Sequence, residues 1–150
     1  MKPQKKGGFL VAKIHQLSDR IFNKILKEND LEELTSAQGR ILFVLWNQDN
    51  ISIKDLGKKT LLKKSTLTSM LDLLEDTGFV KRVPSKTDRR KINIKLTQKN
   101  EEFRKKYIQV SEQMTKIYYN NFSEKEIETF ENYLNQILSN LTEFEKKNNN

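Results

Sequence analysis

Apolar residues at steps of three and four predict helices at both ends of the chain. In residues 9–28 one amphipathic stripe is formed by Leu10, Ile14, Leu17, Ile21 and Ile25. A second long helix is predicted from residue 98 to about 121, with Thr97 as its N-cap. Ser123 and Glu126 predict a capping box for the last helix. A heptad seam follows there, through Ile127, Phe130, Leu134, Ile137, Leu141 and Phe144.

The segment between these helices predicts three shorter ones. Thr35 and Gln38 form a capping-box pattern for a helix that runs through Trp46. A short extended stretch, 50–53, leads into a helix over 54–60 and a turn of sequence LLKK. The next helix spans about 64–77 and ends at Gly78, the residue type best suited to a left-handed C-cap.

After Gly78 the period changes from helical to alternating. Apolar and polar residues alternate over INIKL, so 79–83 is predicted to pair with 92–96 as a hairpin. Pro84 lacks an N–H group and is expected to end the first strand and open the tip, PSKTDRRK. The fold class is therefore mainly α with a small β-hairpin (α+β): a winged helix-turn-helix flanked by N- and C-terminal dimerisation helices. We predict a dimerisation helix in 1–34, a DNA-binding domain in 35–97 and further dimerisation helices in 98–150.

The distribution of charge supports an anionic partner for the middle of the chain. The net charge is +8 at pH 7. All of this excess lies between Lys54 and Lys99, because bases and acids balance in the flanks. A basic balance alone separates neither nucleic acid from a membrane surface nor either from plain solubility. The helix over 64–77, however, places short hydroxyl side chains on its outer face, and a major groove about 12 Å wide admits such a helix.

The residues that carry most enzyme chemistry are scarce. The chain has no cysteine and one histidine, and it lacks a glycine-rich phosphate loop. We therefore expect no enzyme activity, no metal and no cofactor. His15, between Ile14 and Leu17, is expected to be a partly buried structural histidine. No apolar run approaches the roughly 20 residues of a membrane span, and no signal peptide is recognisable, so a cytoplasmic protein without a membrane partner is expected.

The stretch from Leu61 to Thr97 resembles the MarR family of transcriptional regulators. The matching features are the hydroxyl-rich helix 65–74, Gly78, Arg82, the Asp-Arg-Arg of 88–90 and the closing Leu-Thr. Upstream, LTSAQ is similar to the start of that family's second helix. The resemblance covers essentially the whole chain.

This resemblance implies a homodimer that binds a pseudo-palindromic DNA duplex, with Arg90 in the minor groove, Asp88 orienting it and Arg89 on a phosphate. The expected DNA-contacting residues are Lys63, Lys64, Ser65, Thr66, Thr68, Ser69, Arg82, Lys86, Asp88, Arg89, Arg90 and Lys91. The expected dimer interface contains Leu10, Ile14, Leu17, Ile127, Phe130, Leu134, Ile137 and Leu141.

Two positions depart from the family pattern. Ser69 stands where arginine is frequent, which argues against a bidentate guanine contact by this helix. Gly39 stands where a bulky side chain is usual, and it either enlarges the family's ligand pocket or is neutral. The resemblance suggests a small amphipathic or aromatic ligand for that pocket.

Three functions follow. The first is a sequence-specific regulator, a repressor released by a small ligand. The second is a sequence-tolerant architectural DNA-binding protein without an effector. The third is a helical oligomerisation module for another anionic partner, which the charge-balanced end helices disfavour.

Overall fold

The computed structural model of the chain describes residues 2–149 and confirms the predicted fold class. That part of the chain contains six helices and one small antiparallel sheet of three strands. Their bounds, in chain order, are α1 (Gly7–Glu28), α2 (Ser36–Asn47), β1 (Ile51–Ser52), α3 (Ile53–Thr60), α4 (Lys64–Asp76), β2 (Val80–Pro84), β3 (Ile92–Leu96), α5 (Asn100–Tyr118) and α6 (Glu124–Asn148).

The chain divides into two compact units, of which the first ends at Glu112 and the second begins at Gln113. The first unit contains the apolar core. Its fully buried side chains come from α1 to α4, the sheet and the segments that connect them, and include Leu26, Leu42, Leu45, Leu56, Leu67, Leu71, Phe79 and Ile94. The second unit holds the end of α5 and all of α6, which has no buried residue.

Both predicted capping boxes are present. The Thr35 side chain accepts a hydrogen bond from the Gln38 N–H, and the Gln38 side chain accepts one from the Thr35 N–H at 2.9 Å. Ser123 and Glu126 make the same reciprocal pair at the start of α6. Each box satisfies helix N–H groups that have no partner within the helix, so these two helix starts are fixed locally.

The predicted hairpin forms, and the extended stretch before α3 joins it as a third strand. Strand order is β1-β3-β2, with Ile51 opposite Ile94 and Arg82 also opposite Ile94 on the other side. Strand β2 lies one residue later than predicted, because Pro84 is paired with Ile92. Proline is tolerated there because β2 is an edge strand and the backbone nitrogen of Pro84 is on the side away from β3. Arg82, two residues earlier and so on the same side of the strand, directs its N–H away from β3 toward Glu75.

The helix-to-strand turn at Gly78 is confirmed. Gly78 has φ +86°, in the left-handed region that favours glycine. The Phe79 N–H donates to the Leu74 carbonyl at 2.8 Å, which closes the end of α4.

The predicted cap at Thr97 was wrong. Helix α5 begins at Asn100, and the Thr97 hydroxyl donates to the carbonyls of Gly78 and Phe79. Thr97 therefore ties the end of β3 back to the α4–β2 turn. A capping pattern cannot reveal this tertiary hydrogen bond, because Gly78 lies 19 residues away in sequence.

The expectation of a partly buried histidine was also wrong. The His15 side chain is 57% exposed, with Nε2 3.4 Å from Asp19 Oδ2. Asp19 in turn accepts hydrogen bonds from Arg40 at 2.9 Å and from the Ser36 hydroxyl at 3.2 Å. The apolar stripe near His15 is exposed on the first unit, and His15 is exposed with it.

Candidate nucleic-acid interface

The outer face of α4 is hydroxyl-rich, as predicted, and open. Leu67, Leu71 and Leu74 are buried on the inner face of α4, so the opposite face of the helix points to solvent. The predicted contact residues of this segment are all exposed: Lys63, Lys64, Ser65, Thr66, Thr68 and Ser69. Short side chains on an exposed helix face allow the backbone to approach another surface closely.

These hydroxyls do not cap the helix. The N-cap position of α4 is Lys63, and no side chain makes a cap hydrogen bond there. Within residues 2–149, the hydroxyls of Ser65, Thr66, Thr68 and Ser69 have no hydrogen-bond partner. Four free hydroxyls can donate to and accept from an external partner such as base edges or phosphates.

The tip between β2 and β3 is held by its own hydrogen bonds. The Ser85 N–H donates to the Lys91 carbonyl, and the Lys91 N–H donates to the Asp88 carbonyl, each at 3.0 Å. The Ser85 hydroxyl accepts hydrogen bonds from the N–H groups of Thr87 and Asp88, both at 3.3 Å. The loop that carries the cations is therefore shaped before any partner arrives.

Asp88 contacts Arg90 mainly through the backbone. Its Oδ1 accepts a hydrogen bond from the Arg90 N–H at 3.0 Å, whereas Arg90 Nε lies 3.8 Å away. The Arg90 side chain is 95% exposed, so this ion pair is loose. The firm contact is the one that shapes the loop, and it leaves the guanidinium extended into solvent. Lys86, Arg89 and Lys91 are exposed on the same tip.

Arg82 lies at the base of the hairpin in a different setting. Its Nη1 donates to Glu75 Oε1 and its Nη2 to Asp72 Oδ1, each at 2.7 Å. The Arg82 N–H donates to Glu75 Oε2 at 3.0 Å. The two hydrogen bonds from Arg82 to Glu75, the backbone one first, lower the pKa of Glu75 below its usual value, so Glu75 is ionised at neutral pH. Arg82 thus joins β2 to α4.

The structure adds two candidates that the sequence reasoning missed. Lys58 and Lys59 are exposed in the last turn of α3, immediately before the turn that leads into α4. The only signal for them in the sequence is their charge. In a helix-turn-helix unit the helix before the recognition helix crosses the DNA backbone, which makes such lysines candidate phosphate contacts.

Tyr107 fills the space beside Gly39, so neither expectation for that glycine holds. A Cβ at position 39 would overlap the Tyr107 side chain, with the hydroxyl oxygen nearest. The tyrosine ring also packs against Phe22 and Trp46, at centroid distances of 5.6 Å and 5.2 Å. Burial raises the pKa of Tyr107 to about 12. Gly39 makes room for this ring and does not leave a cavity.

The residues predicted for a dimer interface are exposed or half-buried in the single chain. On α1, Leu10, Ile14 and Leu17 are 51%, 42% and 50% exposed. In the second unit, Ile137 and Leu141 are 49% and 63% exposed, and the rest of the predicted set, Ile127, Phe130 and Leu134, is half-buried. Each unit therefore presents an apolar helix face to solvent.

In the part of the chain that the structure describes, no group of three or more His, Cys, Asp or Glu side chains could hold a metal ion. None of the helices described is long and apolar enough to span a membrane.

Comparison with known proteins identifies the family. The MarR family model matches residues 34–92, which contain α2, α3, α4, β2 and the wing, the loop of residues 85–91 between β2 and β3. The HTH-type transcriptional regulator SarZ of Staphylococcus haemolyticus (strain JCSC1435) is 30% identical over 115 residues, covering 77% of this chain and 75% of SarZ. The chain belongs to the MarR family. The predicted resemblance is thereby confirmed.

Two further comparisons show how much of the chain is similar to other proteins. The regulator TtmR of Methylorubrum extorquens (strain PA1) is 40% identical over 67 residues, but the match covers 45% of this chain and only 34% of TtmR. A crystal structure of mutant MarR from E. coli, complexed with operator DNA, is 29% identical. The structural match covers 87% of this chain and 92% of the MarR chain, with a TM-score of 0.78. These relatives are regulators of transcription rather than enzymes.

Proposed function

We propose that this MarR-family chain is a sequence-specific repressor that binds a pseudo-palindromic operator as a homodimer. The observation that carries the proposal is the pairing of two surfaces in one compact unit. Helix α4 offers unpaired hydroxyls, and the wing offers four exposed cations on a loop held by internal hydrogen bonds. The E. coli MarR structure bound to operator DNA has the same fold.

The two surfaces suit different parts of a duplex. A hydroxyl-bearing helix fits the major groove, where serine and threonine can reach base edges. An extended arginine suits a narrow A·T-rich minor groove, whose negative potential attracts it. Lys86, Arg89 and Lys91 flank Arg90 on the tip and are proposed to meet phosphates.

The dimer is proposed from the uncovered apolar faces. Leu10, Ile14 and Leu17 on α1, and Ile137 and Leu141 on α6, have no cover within their own units. Contiguous exposed apolar surface of this kind marks an interaction site, and a second copy of the chain would bury it. Two-fold symmetry would then present two copies of α4 to two half-sites about one helical turn apart.

Release by a small amphipathic or aromatic ligand completes the proposal. This part of the proposal is taken from the family's usual behaviour. The larger pocket expected beside Gly39 does not support it, because Tyr107 occupies that space. Titration of the protein–DNA complex with aromatic carboxylates tests this part. Dissociation at ligand concentrations that leave the protein folded supports it, and an unchanged complex across the series contradicts it.

Selection of bound sequences from random duplex tests the DNA-binding proposal. We expect a consensus of two inverted half-sites with A·T-rich flanks where the wings lie. Recovery of bound sequences without any consensus would contradict the proposal and favour the architectural alternative.

A further inference from the structure

Arg82 differs from the other cations of the candidate DNA-binding surface in having partners. Lys63, Lys64, Lys86, Arg89 and Lys91 are exposed and have no carboxylate within 4 Å among the residues described. The Arg82 side chain is only 23% exposed and is held by two carboxylates of α4. A planar guanidinium that donates in two directions is well suited to fix two elements at a set angle.

The contacts connect α4 to the free edge of the sheet. Asp72 and Glu75 lie one turn apart on α4, and Arg82 is the middle residue of β2. Glu75 receives both the Arg82 N–H, at 3.0 Å, and Nη1, at 2.7 Å, so backbone and side chain are held by one carboxylate. The wing continues directly from β2, and the direction of β2 therefore sets where the wing points.

The charge of this cluster argues against a phosphate contact. One guanidinium faces two carboxylates, which leaves the cluster net negative. A phosphate would have to approach Arg82 beside Asp72, whose side chain is 61% exposed. Lys63, Lys64 and the wing cations offer positions without such a neighbour.

We propose that Arg82 is a positioning residue: it fixes the angle between α4 and the wing, so that both reach one duplex at once, and it does not itself hold a phosphate. The inference rests on the DNA-binding function proposed above. It assigns Glu75, an acid, a positive contribution to DNA affinity.

The sign of the Glu75→Gln effect tests the inference. Removing a carboxylate near a polyanion strengthens binding if electrostatics alone decides. If Glu75 holds Arg82 in place, the substitution weakens operator binding, by roughly 5- to 100-fold if the wing contact is lost. Asp76→Asn is the matched control, because Asp76 is the next residue of α4 and is exposed without an ion-pair partner among residues 2–149. That variant should bind as well as the wild type or more tightly.

Arg82→Lys and Arg82→Gln supply a second readout. Lysine keeps the charge but cannot donate to two carboxylates as a fork. We expect both variants to lose the preference for A·T over G·C in the wing-contacted flank, because neither side chain holds β2 to α4 as arginine does. Arg89→Gln, which removes an exposed wing cation, should lower the slope of log affinity against log salt by about 0.9. A reduced slope for Arg82→Gln, with affinity retained by Arg82→Lys, would show that Arg82 holds a phosphate.

Fluorescence anisotropy with a duplex selected by the wild type is the measurement, made at temperatures where circular dichroism shows each variant folded. Wild-type protein that binds all duplexes equally contradicts the proposed function itself. Specific wild-type binding, together with tighter or unchanged binding by Glu75→Gln, overturns only the role of Arg82. Weaker binding by Glu75→Gln, with the Asp76→Asn control intact, supports it.

Discussion

At the scale of single residues, Arg90 is the most specific element of the proposed interface. Its guanidinium is almost fully exposed, while its backbone N–H is fixed by Asp88. Arg90→Ala is expected to lower affinity for a duplex with an A·T-rich flank by about 1 to 3 kcal/mol, because an inserted arginine is lost from the minor groove. Anisotropy titrations on A·T-rich and G·C-rich flanks measure the change.

Lys86→Ala is the control for this prediction. Lys86 is exposed on the same tip, and as a phosphate contact it should weaken binding to both flanks alike. An Arg90→Ala protein that keeps its flank preference, with an unchanged melting temperature, would remove Arg90 from the minor groove.

Gly39 and Tyr107 show why the sequence alone misjudged one site. A glycine in a helix has no side chain to reveal its neighbour, and Tyr107 lies 68 positions further along the chain. Tyr107 is buried, but no residue near it in sequence indicates what its ring contacts. Only the tertiary structure shows that the ring occupies the space where a Cβ of residue 39 would lie.

Gly39→Ala is therefore expected to destabilise the fold, by about 1 to 3 kcal/mol, because the new methyl group would overlap the Tyr107 ring. Gly57→Ala is the comparison, since its Cβ would meet Leu67 Cδ2 at an ordinary 3.5 Å. That helical substitution should be neutral or stabilising by up to about 1 kcal/mol. Urea unfolding measures both, and equal stability of the two variants would contradict the packing described.

At the scale of elements, the sequence predicted what depends on neighbours along the chain. The capping boxes of α2 and α6 and the glycine turn after α4 follow from residues within a few positions of each other, and all three are confirmed. The hairpin, which pairs residues 8 to 16 positions apart, is also confirmed, with β2 one residue later than predicted. The cap at Thr97 and the environment of His15 failed because they depend on distant contacts or on surface left uncovered. The bridge from Arg82 to α4 was missed, although its partners lie only 7 and 10 residues away.

The wing offers a prediction at this scale. The Asp88 carboxylate shapes the tip by accepting the Arg90 N–H. Asp88→Ala is expected to weaken operator binding several-fold through loss of loop order, even though removal of an acid favours DNA on electrostatic grounds. Asp88→Asn keeps an acceptor for that N–H and should retain most of the affinity. If both variants bound more tightly than the wild type, the charge of Asp88 rather than its hydrogen bond within the loop would decide the affinity.

At the scale of the whole molecule, the central structural expectation is dimerisation. The three-part division at residues 34 and 97 stays a prediction, as does the dimer interface. Leu141 is a suitable probe, since its side chain is 63% exposed and its loss costs the single chain little. Leu141→Asp is expected to shift the protein from dimer to monomer, because a buried unpaired charge is costly in an apolar interface.

Asn140→Asp controls for the added charge on the neighbouring, exposed residue of α6 and should leave the dimer intact. Sedimentation equilibrium over a range of concentrations distinguishes the two species. A fully dimeric Leu141→Asp protein would place the interface elsewhere.

A competition experiment tests the central claim most directly. A labelled duplex from the selected consensus is bound by the wild-type protein, and unlabelled consensus or random duplex is added in excess at fixed salt. We predict that random duplex competes on the order of 10³-fold less well than the consensus, as expected for specific recognition. Equal competition by the two duplexes would contradict the account of this chain as a sequence-specific regulator.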